Sequence, residues 1–349
     1  MREYLTLSTA RRALGALCLA ALLAGCGSNE VLDPAGDIAL QQRDIIYIST
    51  ALMLLIIVPV MALIVVFAWR YRESNKEATY DPDFDHSTSL ELVIWSAPLL
   101  IIICLGALTW WSTHLLDPFR PLDRVAAGRP VDPKIKPMVV QVVSLDWKWL
   151  FIYPEQGIAT VNELALPVDR QVRFEITSTN MMNTFYAPTL AGMIYAMPGM
   201  RSTLHAVLNR QGRFEGMSAN YSGAGFSDMR FKLYGVDQAG FDAWVARVKA
   251  SGPALDTKGF LALEKPSEKV PAMYFGGVDG TLFERAYKRC IRPGTPCMNG
   301  MHGGHGSIPE TGKPEGAVFK GGEEKGRGES LTPPPGAQAS PAPHSHQER

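Results

Sequence analysis

Two stretches of 25 residues each, free of Asp, Glu, Lys and Arg, set the first limit on what this chain can fold into. Ile45 to Trp69 reads IIYISTALMLLIIVPVMALIVVFAW, and Leu92 to Leu116 reads LVIWSAPLLIIICLGALTWWSTHLL. About 20 apolar residues in a helix span the hydrocarbon core of a bilayer. A buried helix of a soluble protein is rarely so long and so evenly apolar. Pro59 and Pro98 lie inside the runs, which membrane helices tolerate. Trp69, Trp110 and Trp111 stand at the ends, where an aromatic belt belongs. The sequence predicts transmembrane helices over 45–69 and 92–116, joined by a short loop over 70–91.

A third apolar run has a different meaning. Arg2, Arg11 and Arg12 precede the 12 residues Ala13 to Ala24, which are too few to span a membrane. A basic start, a short apolar core and small residues make a secretory signal, residues 1–25. The run ends Leu23-Ala24-Gly25-Cys26, which resembles the bacterial lipobox. That resemblance implies a lipid on Cys26 as the mature N-terminus, with 26–44 as a lipidated N-terminal segment. An ordinary cleavage site beside an incidental cysteine is the alternative. The signal also decides orientation, because the basic residues do not. Arg70, Arg72 and Lys76 in the short loop face Arg120, Arg124, Arg129, Lys134 and Lys136 beyond the second helix. The positive-inside rule weakens for long translocated domains. With Cys26 outside, the 70–91 loop is cytoplasmic and everything after 116 is external. The chain is expected in a bacterial inner membrane, with a large periplasmic domain. Zero formal net charge gives no reason to expect a nucleic-acid partner.

After a linker over 117–136, residues 137–236 change pattern. MVVQVVSLDWKWLFIY, QVRFEITST, RSTLHAVL and RFKLYGV are rich in β-branched and aromatic residues and are separated by turn signals. They predict a β-sandwich or Greek-key barrel. From Asp237, a good helix N-cap, Phe241, Trp244, Val245 and Val248 fall at helical spacing. Shorter helical pieces are expected around Phe260 and Phe283, making 237–293 a helical, aromatic-rich extension. Residues 294–349, rich in Gly, Pro and Glu, read as a disordered tail. Within DWKWLFIY, Trp147, Trp149, Phe151 and Tyr153 alternate, so one strand places all four on one face. Two readings stand for that face: a core, or a surface for a membrane partner or for incoming electrons.

The stretch GMSANYSGAGFSDM, residues 216–229, has the glycines and serines of a tightly turned loop. Two membrane helices, an external β-domain starting with DWKW, the stretch MNTFYAPTLAGMIYAMPGMRSTLH and this loop together resemble subunit II of the haem-copper respiratory oxidases. In its cytochrome c-oxidising members the loop reads approximately G-Q-C-S-E-L-C-G-x-x-H-x-x-M and cradles a two-copper centre. Soft thiolates suit copper because they stabilise it and spread its charge. The resemblance places Asn183 at the first histidine position, Ser218 and Ser222 at the two cysteines, Asn220 at the glutamate and Phe226 at the second histidine. Only Met229 is retained. The resemblance is therefore to the quinol-oxidising branch, of cytochrome bo type, which SLDWKWLFIYPEQGIATVNE and SANYSGAGFS also resemble.

What the resemblance implies is a fold and a role. The fold is a membrane-anchored two-helix transmembrane hairpin carrying an all-β, cupredoxin-like Greek-key domain with a short helical, aromatic-rich extension. The role is the non-catalytic subunit II of a proton-pumping quinol oxidase. Haems and copper belong to the partner subunit I, and no cofactor or metal to this chain. Its partners are subunit I, smaller membrane subunits, the bilayer and, through the complex, a membrane quinol, with no cytochrome c. Glu91 corresponds to a family glutamate near the mouth of a proton path, while Thr88 and Glu91 also have capping-box spacing. An external compartment permits a disulfide between Cys290 and Cys297; two free thiols are the alternative. Two other functions stay open: a copper-relay subunit of a cytochrome c oxidase, and an anchored lipoprotein whose cupredoxin-like domain serves assembly or binding.

Overall fold

The computed structural model describes residues 30–79 and 82–298. The signal segment, Cys26 and the tail beyond 298 lie outside the described residues. Helices α1 (Asp37–Arg70) and α2 (Thr88–Leu115) contain the two apolar runs and pack against each other. Each is long and apolar enough to cross a membrane. At 1.5 Å per residue, the 34 residues of α1 reach about 50 Å, more than the hydrocarbon core needs. The surplus lies at its N-terminal end, where Asp37, Ile38 and Ala39 are buried in the β-domain.

The β-domain is two packed sheets. One has six strands in the order β8–β5–β1–β2–β3–β11: β8 (Ser202–Val207), β5 (Gln171–Ser178), β1 (Met138–Leu145), β2 (Lys148–Tyr153), β3 (Ile158–Val161) and β11 (Met273–Phe275). The other runs β4–β10–β9–β6–β7: β4 (Glu163–Pro167), β10 (Arg230–Val236), β9 (Gly212–Ser218), β6 (Asn183–Tyr186) and β7 (Ile194–Ala196). Pairing is antiparallel except β1 with β5 and β4 with β10. Those two parallel pairs need crossovers between the sheets, which is the Greek-key character the sequence predicts.

Strand β2 is buried on both faces, and this corrects one expectation. Trp149, Phe151 and Tyr153 do share a face, but it points into the sandwich and all three have no exposed area. Trp149 and Phe151 meet Phe185 and Phe231 edge-on, with ring centroids 5.1–6.4 Å apart. A partner subunit therefore has no access to these three rings. Trp147 is separate: it precedes β2 and is only half-buried. The opposite face of β2, Leu150 and Ile152, packs on the extension.

That extension comprises α3 (Gln238–Ser251), α4 (Thr257–Glu264) and α5 (Leu282–Tyr287). Asp237 caps α3 by accepting from the Gly240 amide at 2.7 Å. Trp244 of α3 meets Tyr153 at 5.4 Å and donates its Nε1–H to Glu163. Tyr274 donates to the other Glu163 oxygen, and burial, reinforced by that carboxylate, pushes its pKa up to about 12. The extension is not purely helical as expected, since its β11 completes the six-stranded sheet against β3. Lys148 points away from the sandwich core, is buried, and donates from Nζ to the Asp146 and Lys265 carbonyls and to Ser267 Oγ. Burial holds its pKa below the usual lysine range, and the three acceptors satisfy all three of its donors. The extension ends at a disulfide between Cys290 and Cys297, with Cα atoms 4.7 Å apart.

The segment before α1 is part of the domain. Ala35 and Gly36 donate backbone N–H bonds to Thr189 O, and Ala35 O accepts from the Asn209 and Arg210 amides. Asp37, 5% exposed, accepts from Arg124 Nε at 2.8 Å. Arg210 forks onto Asp33. The expected linker 117–136 is ordered as well, with a short ladder of Arg124–Ala126 on Arg129–Pro130 and an ion pair from Arg129 to Asp169.

A Cβ at Gly36 would lie 2.5 Å from the Val207 carbonyl oxygen and 2.6 Å from that of Leu190. Because both obstacles are backbone, Gly36→Ala is expected to destabilise the domain by about 1–3 kcal/mol. Thermal unfolding of the purified chain checks this, and an unchanged melting temperature would show that the segment docks differently.

Candidate functional site

The loop between β9 and β10, residues 219–229, is closed at its base by backbone. The Ser218 amide donates to Met229 O at 3.0 Å, and Ala219 N donates to Thr184 O on β6. A single 3-10 turn, Phe226–Asp228, brings the chain back. Met229 is fully buried in the sandwich core.

Of the positions predicted from the sequence, Asn183, Ser218 and Asn220 meet through the Ser218 hydroxyl. Ser218 Oγ donates to Asn183 Oδ1 at 3.0 Å, across β9 and β6. Asn183 Nδ2 reaches the Met181 carbonyl, and Asn220 Nδ2 donates to Met182 O. Ser222 is buried, and among the described residues its Oγ has no hydrogen-bond partner. Phe226 packs edge-on against Tyr221 at 5.7 Å. The cluster presents amides, hydroxyls and a phenyl ring, which are hard or non-coordinating groups, beside one thioether. Among the described residues no three of His, Cys, Asp and Glu stand together as a metal would require.

Sequence reasoning missed what holds this loop. Trp147 lies under it and donates Nε1–H to the Ser222 carbonyl at 2.9 Å. A Cβ at Gly223 or Gly225 would come within 2.8 and 2.7 Å of the indole, and Gly223 has φ of +119°. The glycines are thus required by the tryptophan ring and by a left-handed turn, irrespective of any metal. The signal was present as the glycine pair, but nothing in one sequence assigns Trp147 as its partner.

At the other end of the hairpin, Glu91 lies in the first turn of α2, half-exposed. The expected capping box does not form. The helix starts with Ser87 as N-cap, so Thr88 is already inside it and its hydroxyl faces His86 Nε2 at 3.2 Å. Glu91 instead pairs with His86 Nδ1 at 2.7 Å. His205, on β8, has its pKa lowered by burial and by Arg173, its cross-strand neighbour. It reads as structural.

Comparison with known proteins agrees with this architecture. Residues 152–236 match the family of the cytochrome c oxidase subunit II periplasmic domain, and residues 249–294 match the COX aromatic-rich motif. The chain is 46% identical over 317 residues to the cytochrome bo(3) ubiquinol oxidase subunit 2 of Pseudomonas putida, covering 91% of this chain and 94% of the relative. It is 49% identical over 267 residues to the subunit of that name in Pseudomonas aeruginosa, covering 76% and 78%. It is 46% identical over 283 residues to ubiquinol oxidase subunit 2 of Acetobacter aceti, covering 81% and 89%. The chain belongs to the subunit 2 family of the haem-copper quinol oxidases.

Because the β-framework fixes where these side chains point, ligands returned to it should recreate a metal site. A chain carrying Asn183→His, Ser218→Cys, Asn220→Glu, Ser222→Cys and Phe226→His, with native Met229, is expected to bind copper and become coloured. Visible absorption and metal analysis after copper loading check this. A folded but colourless variant would mean that Trp147 holds the loop in a shape the metal cannot use.

Proposed function

We propose that this chain is the metal-free, non-catalytic subunit II of a proton-pumping terminal quinol oxidase. Family membership already places it in an oxidoreductase complex with a subunit I and further subunits. The single observation that carries the finer reading is the donor set of the loop. Asn183, Ser218, Asn220, Ser222 and Phe226 supply no thiolate and no imidazole. A two-copper centre needs soft, charge-spreading donors, which these residues do not provide. Without a copper relay, a one-electron donor at the outer surface has no route inward through this subunit. A quinol dissolved in the bilayer needs none. Haems, copper and oxygen chemistry then belong to subunit I, and cytochrome c is not a partner.

The same reading assigns the remaining parts. The two apolar helices span the bacterial inner membrane, the 70–91 loop is cytoplasmic and the β-domain is periplasmic. Cys26 carries acyl chains. Support for this topology comes from the docking of residues 33–39 on the β-domain. Since α2 leads into the same domain, both outer ends of the hairpin lie on one side. Glu91, with His86 against it, takes up protons at the opposite end.

Two experiments test this. The purified complex should reduce oxygen with a ubiquinol analogue and not with reduced cytochrome c; the reverse preference would overturn the proposal. In the assembled complex, Glu91→Gln removes a titratable group and is expected to slow proton-coupled turnover, by up to about 100-fold if Glu91 is the sole acid on the path. Unchanged turnover with full assembly would leave Glu91 only its structural pairing with His86.

A further inference from the structure

A cavity of about 590 Å³ lies where the hairpin meets the β-domain. Its apolar wall includes Val31, which precedes α1, and Ile38, Ile45, Ile46, Leu115 and Leu116 at the ends of the two helices that meet the β-domain. Trp110 and Trp111 lie about one turn before Leu115, where an aromatic belt belongs. Gln41, Gln42, Asp117 and His205 also line it, as do the ion pairs of Arg124 with Asp37 and Arg120 with Asp123. Both lining arginines are thus engaged with carboxylates and neither is left for the phosphate of a lipid headgroup. The apolar wall suits a neutral hydrocarbon chain.

The acylation of Cys26 proposed above would tether one such chain beside it. Val31 lines the cavity, and Cys26 precedes Val31 by five residues. Five extended residues reach roughly 17 Å at most. Ala35, Gly36 and Asp37 hold the following backbone on the domain, so the tether starts from a fixed point. We infer that an acyl chain on Cys26 folds back into this cavity, so that the lipid joins helix to domain as well as anchoring the protein. This rests on the acylation of Cys26 proposed above. Burying its methylenes is favourable, so the occupied cavity reinforces the junction that Gly36 and Asp37 already hold.

The test uses the whole complex, from cells grown with a diazirine-bearing fatty acid. Intact mass of the subunit first establishes whether Cys26 is acylated; an unacylated N-terminus would overturn the lipidation reading itself. After irradiation, the Cys26 peptide is expected to be cross-linked to the peptides that contain Ile45 and Ile46 or Leu115 and Leu116. Leu116→Trp, which narrows the cavity at the end of α2, is expected to weaken the cross-link to the Leu115–Leu116 peptide while keeping the acyl mass and quinol oxidation. An acylated Cys26 cross-linked only to phospholipid or to other subunits would overturn the inference. So would labelling of the cavity peptides that persists in Cys26→Ala, because the occupant would then be a free membrane lipid.

Discussion

The contact on which the rest of the structure depends is the docking of residues 33–39 on the β-domain. Gly36 passes so close to the Val207 and Leu190 carbonyls that no side chain fits, and the buried Asp37 carboxylate closes on Arg124. A buried carboxylate left unpaired is costly, so this arrangement holds only while the ordered 117–136 segment stays in place. The consequence is geometric. The start of α1 and the end of α2 are bound to one body, which makes the helices a hairpin with both of those ends at the β-domain. The domain is thereby fixed relative to the hairpin.

The loop between β9 and β10 is held by protein contacts alone. It is fixed by Ser218 on Asn183, by backbone bonds at Ser218 and Ala219, and by Trp147 under the two glycines. None of these interactions requires a metal. The polar pairings also keep its buried amide and hydroxyl groups largely satisfied, with Ser222 Oγ the exception among the described residues. Leaving such groups unpaired would cost about 1–3 kcal/mol each.

Much of this was legible in the sequence, for identifiable reasons. The helices were readable because hydrophobic length alone decides them, and the sandwich because period-2 alternation recurs between turn signals. That Asn183, Ser218, Asn220, Ser222 and Phe226 offer no thiolate or imidazole was readable directly. What failed depended on long-range packing. The shared face of Trp149, Phe151 and Tyr153 was correctly inferred, yet whether it meets solvent, a partner or a second sheet is not encoded locally. Strand β11, whose Met273 pairs with Val161 of β3 from far along the chain, is invisible to any local pattern. The Thr88–Glu91 spacing suggested a cap, but the helix started one residue too early for it, because Ser87 took the N-cap place. Lys148, the buried tie between sandwich and extension, carries no local signal of that role either.

The most direct measurement of the central claim is the copper content of this chain, purified alone after exposure to excess copper and then desalted. A loop held by protein contacts, with amides and hydroxyls where thiolates would stand, predicts no retained copper and no visible absorption. Stoichiometric copper retained on the chain, lost on replacing Met229 or Ser218, would contradict the account.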